Sequence, residues 1–409
     1  MKRASLLLAG FNVLAMVFAP LVSATPWYVT TNGTGAGTSW TDALGDIQSA
    51  ISKAVNVGDV VWVSNGVYAT GGMTNWPSGY SLTNRVVITN AITVRSAHND
   101  PTNTIIKGTW DSAINGPAAV RCVYMVNNST LIGFTLTNGD TMVTGNGVND
   151  RVGGGVKAES TSAVVSNCVI TGNAAYTQGG GAHNATLHNC KVIGNCTTAQ
   201  RVTNGGGAQS CILYDCIVKW NFSGNGGAGL RACTAYNCTI VSNDTGGTGG
   251  GAFASTLYNC LLSGNLANTG GGARESALYN CTIVSNQATG DGGGGVYSGA
   301  LYNCIAYFNT ANAGVNWLNL AAATNSCTIP AISGVMNITD NPLFVDPNTG
   351  NWRLSPNSTC INTGTNFDWT LDPANARSKD LDGRMRVRYG TVDMGAYEKL
   401  YSGTMIKLR

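Results

Sequence analysis

Between residues 160 and 310 the apolar positions come in short bursts that alternate with polar ones, then break and restart. The text Leu257-Tyr258-Asn259-Cys260 returns as Leu278-Tyr279-Asn280-Cys281 and Leu301-Tyr302-Asn303-Cys304. An apolar residue follows two after several of these cysteines, as at Ile240, Leu262 and Ile283. Alternation of period two means strands, and bursts this short mean frequent turns. Cys168, Cys190, Cys216, Cys238, Cys260, Cys281, Cys304 and Cys327 are 22, 26, 22, 22, 21, 23 and 23 residues apart. Five residues after each of the first seven stands an asparagine: Asn173, Asn195, Asn221, Asn243, Asn265, Asn286 and Asn309. Glycine clusters such as 179–181, 249–251 and 292–295 separate the units. A period near 22 is too short for a helix pair, whose repeats run to about 33 or more. It fits one coil of an all-β solenoid.

The alternation also assigns faces. The residue three before each cysteine (Leu187, Leu213, Leu257, Leu278) points inward, the next outward, and the asparagine before the cysteine takes the bend. Asparagine tolerates the left-handed backbone of a sharp corner. The bend resets the alternation, so the cysteine and the residue two later both enter the core. Coil on coil, the cysteines become a column of small buried side chains about 4.8 Å apart. Parallel Cβ vectors suit disulfides poorly, so the column is expected to stay reduced. Cys211 and Cys233 form a second, shorter column, which explains the Cys-x4-Cys spacings better than zinc does.

Other segments lie outside the period. Lys2 and Arg3 precede an apolar run over residues 4–22 and a small-residue site at Val22-Ser23-Ala24, so residues 1–24 read as a secretory signal. Residues 25–58 form an N-terminal cap, with a helix starting at Thr41 or Asp42 and running to about Val55. Its apolar face is Leu44, Ile47, Ile51 and Ala54. The solenoid occupies 59–330, and its period fails after Cys304, where 309–325 reads as a longer excursion. Residues 331–409 carry a different text, including Asn341-Pro342-Leu343-Phe344, Asp380-Leu381-Asp382-Gly383 and Val392-Asp393-Met394-Gly395-Ala396-Tyr397-Glu398.

Composition narrows the function. Charged residues make up 11% of the chain and net to +3, with no like-charge runs, which argues against nucleic-acid partners. No segment after the signal approaches a membrane span. Three histidines, His98, His183 and His188, offer no zinc set and no Ser-His-Asp arrangement. Asp380-x-Asp382-Gly383 resembles the opening of a calcium loop, but the rest of that loop is missing. No cofactor is expected.

The coil text, Gly-Gly-Gly-apolar followed by Leu-Tyr-Asn-Cys-Thr-Ile-Val-Ser-Asn, resembles the right-handed parallel β-helix of the pectin-lyase-like superfamily over about residues 56–330. The resemblance implies a three-sheet solenoid with about 22 residues per coil and an N-terminal capping helix. The C-terminal text resembles the choice-of-anchor Q domain found behind β-helices in exported bacterial proteins. Residues 399–409 carry no hydrophobic tail or sorting motif, so free secretion as a monomer is expected rather than anchoring.

In that superfamily substrates lie along the outer face of one sheet. The corresponding column here is Lys157, His183, Gln209, Arg231, Phe253, Arg274 and Tyr297, basic and aromatic residues suited to an acidic polysaccharide. A second outward column is His188, Tyr214, Tyr236, Tyr258, Tyr279 and Tyr302, stacked for packing or for contact with sugar rings. A glycosidase needs two neighbouring carboxyls, and no acids of the central coils pair by register. The expectation is therefore binding of extracellular polysaccharide. The alternatives are a lyase or glycosidase acting on uronate polymers, or a structural, adhesive spacer. A lyase here would be metal-independent, with Arg231, Arg274, His183 or Lys157 as base and charge neutraliser.

Overall fold

The computed structural model describes residues 24–111, 114–199, 204–372, 374–387 and 390–400; the expected signal segment lies outside them, apart from Ala24. Short parallel strands stack into sheets of 12, 10 and 11 strands, with a fourth stack of six along one corner. In one coil the strands are Ala182–His183, Thr186–His188, Lys191–Ile193 and Cys196–Thr197. The sheets are named below for their outward or inward columns: basic, tyrosine and cysteine sheet, in that chain order, then the short asparagine stack.

The corners explain the period. Asn184, Asn189 and Gly194 have φ of 61°, 50° and 62°, and Ala254, Asn259 and Gly264 repeat this with 48°, 54° and 63°. A left-handed residue every five positions leaves four for each side, whose first and third side chains point inward. Asparagine and glycine adopt this φ readily, but Trp220, Glu275 and Phe308 hold it too, at 55°, 50° and 57°. Such positions cost about 1–2 kcal/mol each, which the stacked coils offset. The glycine clusters have a different cause. A Cβ on Gly180 would lie 2.1 Å from the Cys196 carbonyl oxygen, and one on Gly206 2.2 Å from that of Phe222, so backbone meets backbone there.

The core is stacked by kind. Leu187, Leu213, Leu257, Leu278 and Leu301 are fully buried under the tyrosine sheet, and the cysteine column lies beside them. The described thiols are all free. Cys190 N–H donates to Cys216 Sγ at 3.4 Å, and Cys216 N–H to Cys238 Sγ at 3.4 Å. The asparagines five residues on are also core. Asn221 N–H and Nδ2 donate to Asn243 Oδ1 at 3.0 and 2.9 Å, and Asn243 repeats this toward Asn265 at 3.0 and 3.0 Å. The second Nδ2 proton goes to the Val218 carbonyl at 3.1 Å. Every polar atom in this ladder is satisfied by its neighbours.

Three sequence expectations are corrected. The helix is Ile47–Lys53, capped by Asp46, whose carboxylate accepts from Ser49 N–H at 2.8 Å. Asp42 instead closes the preceding turn by accepting from Ala36 N–H at 2.9 Å, and Leu44 bridges to Val29 outside the helix. Residues 309–325 are no excursion. Trp317–Leu318 pairs with Val296–Tyr297 and Ala322–Thr324 with Ala300–Tyr302, making a further coil. In that coil Ser326 Oγ, not Cys327, accepts from Cys304 N–H at 3.1 Å. Cys327 is in register with Ile305 and turns outward.

It turns toward the C-terminal segment, which runs back along the solenoid. Corner asparagines hold it: Asn259 Nδ2 donates to the carbonyls of Arg377 and Lys379 at 2.9 and 2.7 Å, Asn303 Nδ2 to that of Thr365 at 2.8 Å, and Asn325 Nδ2 to that of Thr363 at 3.0 Å. Beside this seam Leu261, Val284, Ile305 and Cys327 pack with Phe344, Trp352, Met394 and Tyr397 in a second apolar cluster.

Candidate functional site

Register places the seven residues of the basic column in one line, Lys157, His183, Gln209, Arg231, Phe253, Arg274 and Tyr297 on successive strands. They are not equally open. Lys157, Gln209 and Phe253 are buried. Gln209 Oε1 accepts from Gly205 N–H at 3.0 Å, and His183 Nε2 lies 3.0 Å from Gln178 Oε1, so the glycine turns fold over this half of the column. Burial, reinforced by Lys157 and Arg121, pulls the His183 imidazole down to about 3. The Lys157 ammonium is pulled down to about 8 by burial and by Arg121, and it donates to the Ala158 carbonyl at 2.7 Å.

Beyond Gln209 the column changes character. Arg231 lies 5.7 Å and Arg274 5.9 Å from the Phe253 ring centroid, and Arg274 is 5.2 Å from that of Tyr297. Cations and rings therefore alternate coil by coil. Arg274 is partly neutralised, with Nε 3.1 Å from Glu275 Oε1 and Nη1 donating to Thr269 Oγ1 at 3.2 Å. Arg231 has no ion-pair partner among the described residues, and its buried Nε makes no hydrogen bond. Desolvation lowers its pKa, and among the described residues no carboxylate offsets its charge.

The second column is equally regular. His188, Tyr214, Tyr236, Tyr258, Tyr279 and Tyr302 stack with centroids 4.6–5.1 Å apart and planes within 4–13°. Each inner ring thus has both faces closed by its neighbours, leaving edges and hydroxyls outward. Trp369 meets Tyr258 edge-on at 5.6 Å, Phe367 meets Tyr279 at 6.0 Å, and the Arg377 guanidinium lies 5.2 Å from the Tyr258 centroid. The C-terminal segment therefore occupies the middle of this ladder and covers part of its outer surface.

The periodic reading missed residues upstream of the first repeated cysteine. Tyr124 precedes Lys157 in the basic column, and Arg121, fully buried, donates to the Gly153 and Val152 carbonyls at 2.9 and 2.8 Å. These coils lack the repeated cysteine, so it is strand pairing that assigns their outward residues to the column. At the other end, the Asp380 carboxylate accepts from the Asp382 and Arg384 N–H groups at 3.0 and 2.7 Å, and Asp382 pairs with Arg353 and Arg384. Among the described residues no group of three or more His, Cys, Asp or Glu side chains is placed to hold a metal, and no helix is long and apolar enough to cross a membrane.

The class follows from this architecture: a parallel β-helix with long outward ladders. Neither a protein-family profile nor any curated protein sequence matches the chain. Solved structures do match in shape. Pectate lyase Pel9A superposes with a TM-score of 0.57 at 14% identity, over 92% of this chain and 96% of that one. A rhamnogalacturonan lyase gives 0.46 at 12% identity over 81% and 95%, and pectin methylesterase PemA from Erwinia chrysanthemi 0.38 at 9% over 77% and 93%. The fold is the pectin-lyase-like right-handed parallel β-helix.

Proposed function

We propose that this chain is an exported protein that binds acidic polysaccharide along the more open half of the basic column, where Arg231, Arg274 and Tyr297 are part-exposed around the buried Phe253. One observation carries the reading: Arg231 is an uncompensated cation, next to a ring, in a column that alternates cations with aromatics. A uronate carboxylate at Arg231 would supply the missing counter-charge, and the coil repeat offers further contacts along an extended chain. The polysaccharide-acting proteins of the same fold are in keeping with this reading.

The test is retention on immobilised polygalacturonate against a neutral glucan. Arg231→Ala is expected to weaken binding about tenfold, the loss typical of one charged hydrogen-bonding partner. Its melting temperature should stay unchanged. Binding should fall with added salt. Equal retention of both polymers, or of the variant and the parent, rejects the proposal.

A further inference from the structure

The outward column of the tyrosine sheet continues upstream of His188 as Ser166, Ile132, Arg95, Trp62 and Tyr28, each in register with the next. At this N-terminal end the stacking habit of the ladder breaks. Tyr28 turns its ring edge-on to Trp40, with centroids 4.8 Å apart and planes at 65°, instead of stacking on Trp62. Trp40 belongs to the cap and is 43% exposed. The result is a cavity of about 440 Å³ lined by Tyr28, Trp40, Trp62, Ser64, Ala97 and His98. The Arg95 guanidinium lies 4.4 Å from the Trp62 ring centroid. Its Nε is buried without a partner, and it makes no ion pair among the described residues.

We infer that this cavity is a second glycan site, distinct from the basic column, which takes a uronic-acid pyranose with its ring against the aromatic walls and its carboxylate toward Arg95. Three features select that ligand class. The volume lies in the range of small-molecule pockets and suits one or two sugar rings. Pyranose faces are apolar enough to pack on indole and phenol rings, whereas their hydroxyls need polar rims, which Ser64 and His98 supply. Arg95 does not itself line the cavity, but its guanidinium packs on the Trp62 ring that does, and it has no ion-pair partner among the described residues, which favours an acidic sugar over a neutral one. The inference stands on residues other than Arg231, so the two sites can fail separately.

The experiment is isothermal titration of the intact chain with trigalacturonate, and with cellotriose as the neutral control. Variants are Trp40→Ala, Arg95→Gln and Arg231→Ala, each checked for an unchanged melting temperature. Trp40 is half exposed, so its truncation leaves the fold standing. The expected result is two trigalacturonates per chain. Trp40→Ala and Arg95→Gln should each weaken one of them about tenfold, the size of one aromatic or charged contact. Arg231→Ala should leave that one intact and weaken the other. Isotherms of Trp40→Ala and Arg95→Gln that match the parent overturn the inference while leaving the basic column untouched. Cellotriose binding as tight as trigalacturonate, unaffected by Arg95→Gln, overturns the assignment to an acidic sugar.

Discussion

Asn243 makes the residue-scale logic concrete. Its oxygen accepts twice from Asn221, one Nδ2 proton goes to Val218 and the other to Asn265, so its full bonding capacity is spent inside the core. Asn243→Leu, which keeps the branched shape but has no hydrogen-bonding atoms and is bulkier, would strand the Asn221 N–H and amide, the Val218 carbonyl and half of Asn265's acceptance. Two or more buried groups left unpaired cost about 3 kcal/mol together, and more if no water enters. Urea denaturation should show a loss of that order for Asn243→Leu, and an unchanged midpoint would show that the ladder is dispensable. The recurrence of these asparagines is plain in the sequence, but their burial is not. A polar residue prone to turns reads as surface, and only the partner one coil away shows otherwise. The same limit misplaced Cys327. Spacing alone put it in the cysteine column, whereas the partner of Cys304 N–H is Ser326.

At the scale of elements, the repeat and the segments around it obey different rules. Periodic coils could be assigned face by face because each strand's environment is set by the copies above and below. The C-terminal segment has no such copies, so its path over the tyrosine ladder was not legible. Its docking depends on two kinds of contact. Corner asparagines donate to its carbonyls, and Phe367 and Trp369, mutually stacked with centroids 5.1 Å apart, stand edge-on to Tyr279 and Tyr258. Edge-to-face pairs contribute about 0.5–1.5 kcal/mol each beyond the area they cover. Trp369→Ala removes contacts to both tyrosines and to Arg377. It should therefore speed amide exchange in residues 363–379 at least tenfold, a factor worth about 1.4 kcal/mol. Exchange in the cysteine-sheet strands should not change. Faster exchange throughout the solenoid would mean that the segment is integral to coil stability rather than laid upon it.

For the whole molecule, the question is what couples this outer segment to solution conditions. Near its end, Arg386 is fully buried and pairs with Glu398 at 3.0 Å, while donating to the Asp393 and Gly395 carbonyls at 3.1 and 2.7 Å. Arg386 and two N–H contacts from Asp393 favour the ionised Glu398, but burial and the neighbouring Asp393 and Asp380 outweigh them and raise its carboxyl to about 8. Burial raises Asp380 and Asp393 as well. A carboxyl that holds its proton longer in the folded chain than in the unfolded one stabilises the fold fully below the unfolded value. That contribution fades as pH climbs through the folded value. For Glu398 the window runs from its ordinary 4.5 to about 8. Melting temperature should thus fall by several degrees between pH 5 and 9. Residues 390–400 should be among the first to lose amide protection. Glu398→Gln keeps the shape and removes the titration, so its melting temperature should vary much less over the same range. A variant with the parent's full slope would exclude Glu398 as the titrating group and leave Asp380 and Asp393 as its source. A parent with no slope would mean that Arg386 holds all three carboxylates ionised in the fold.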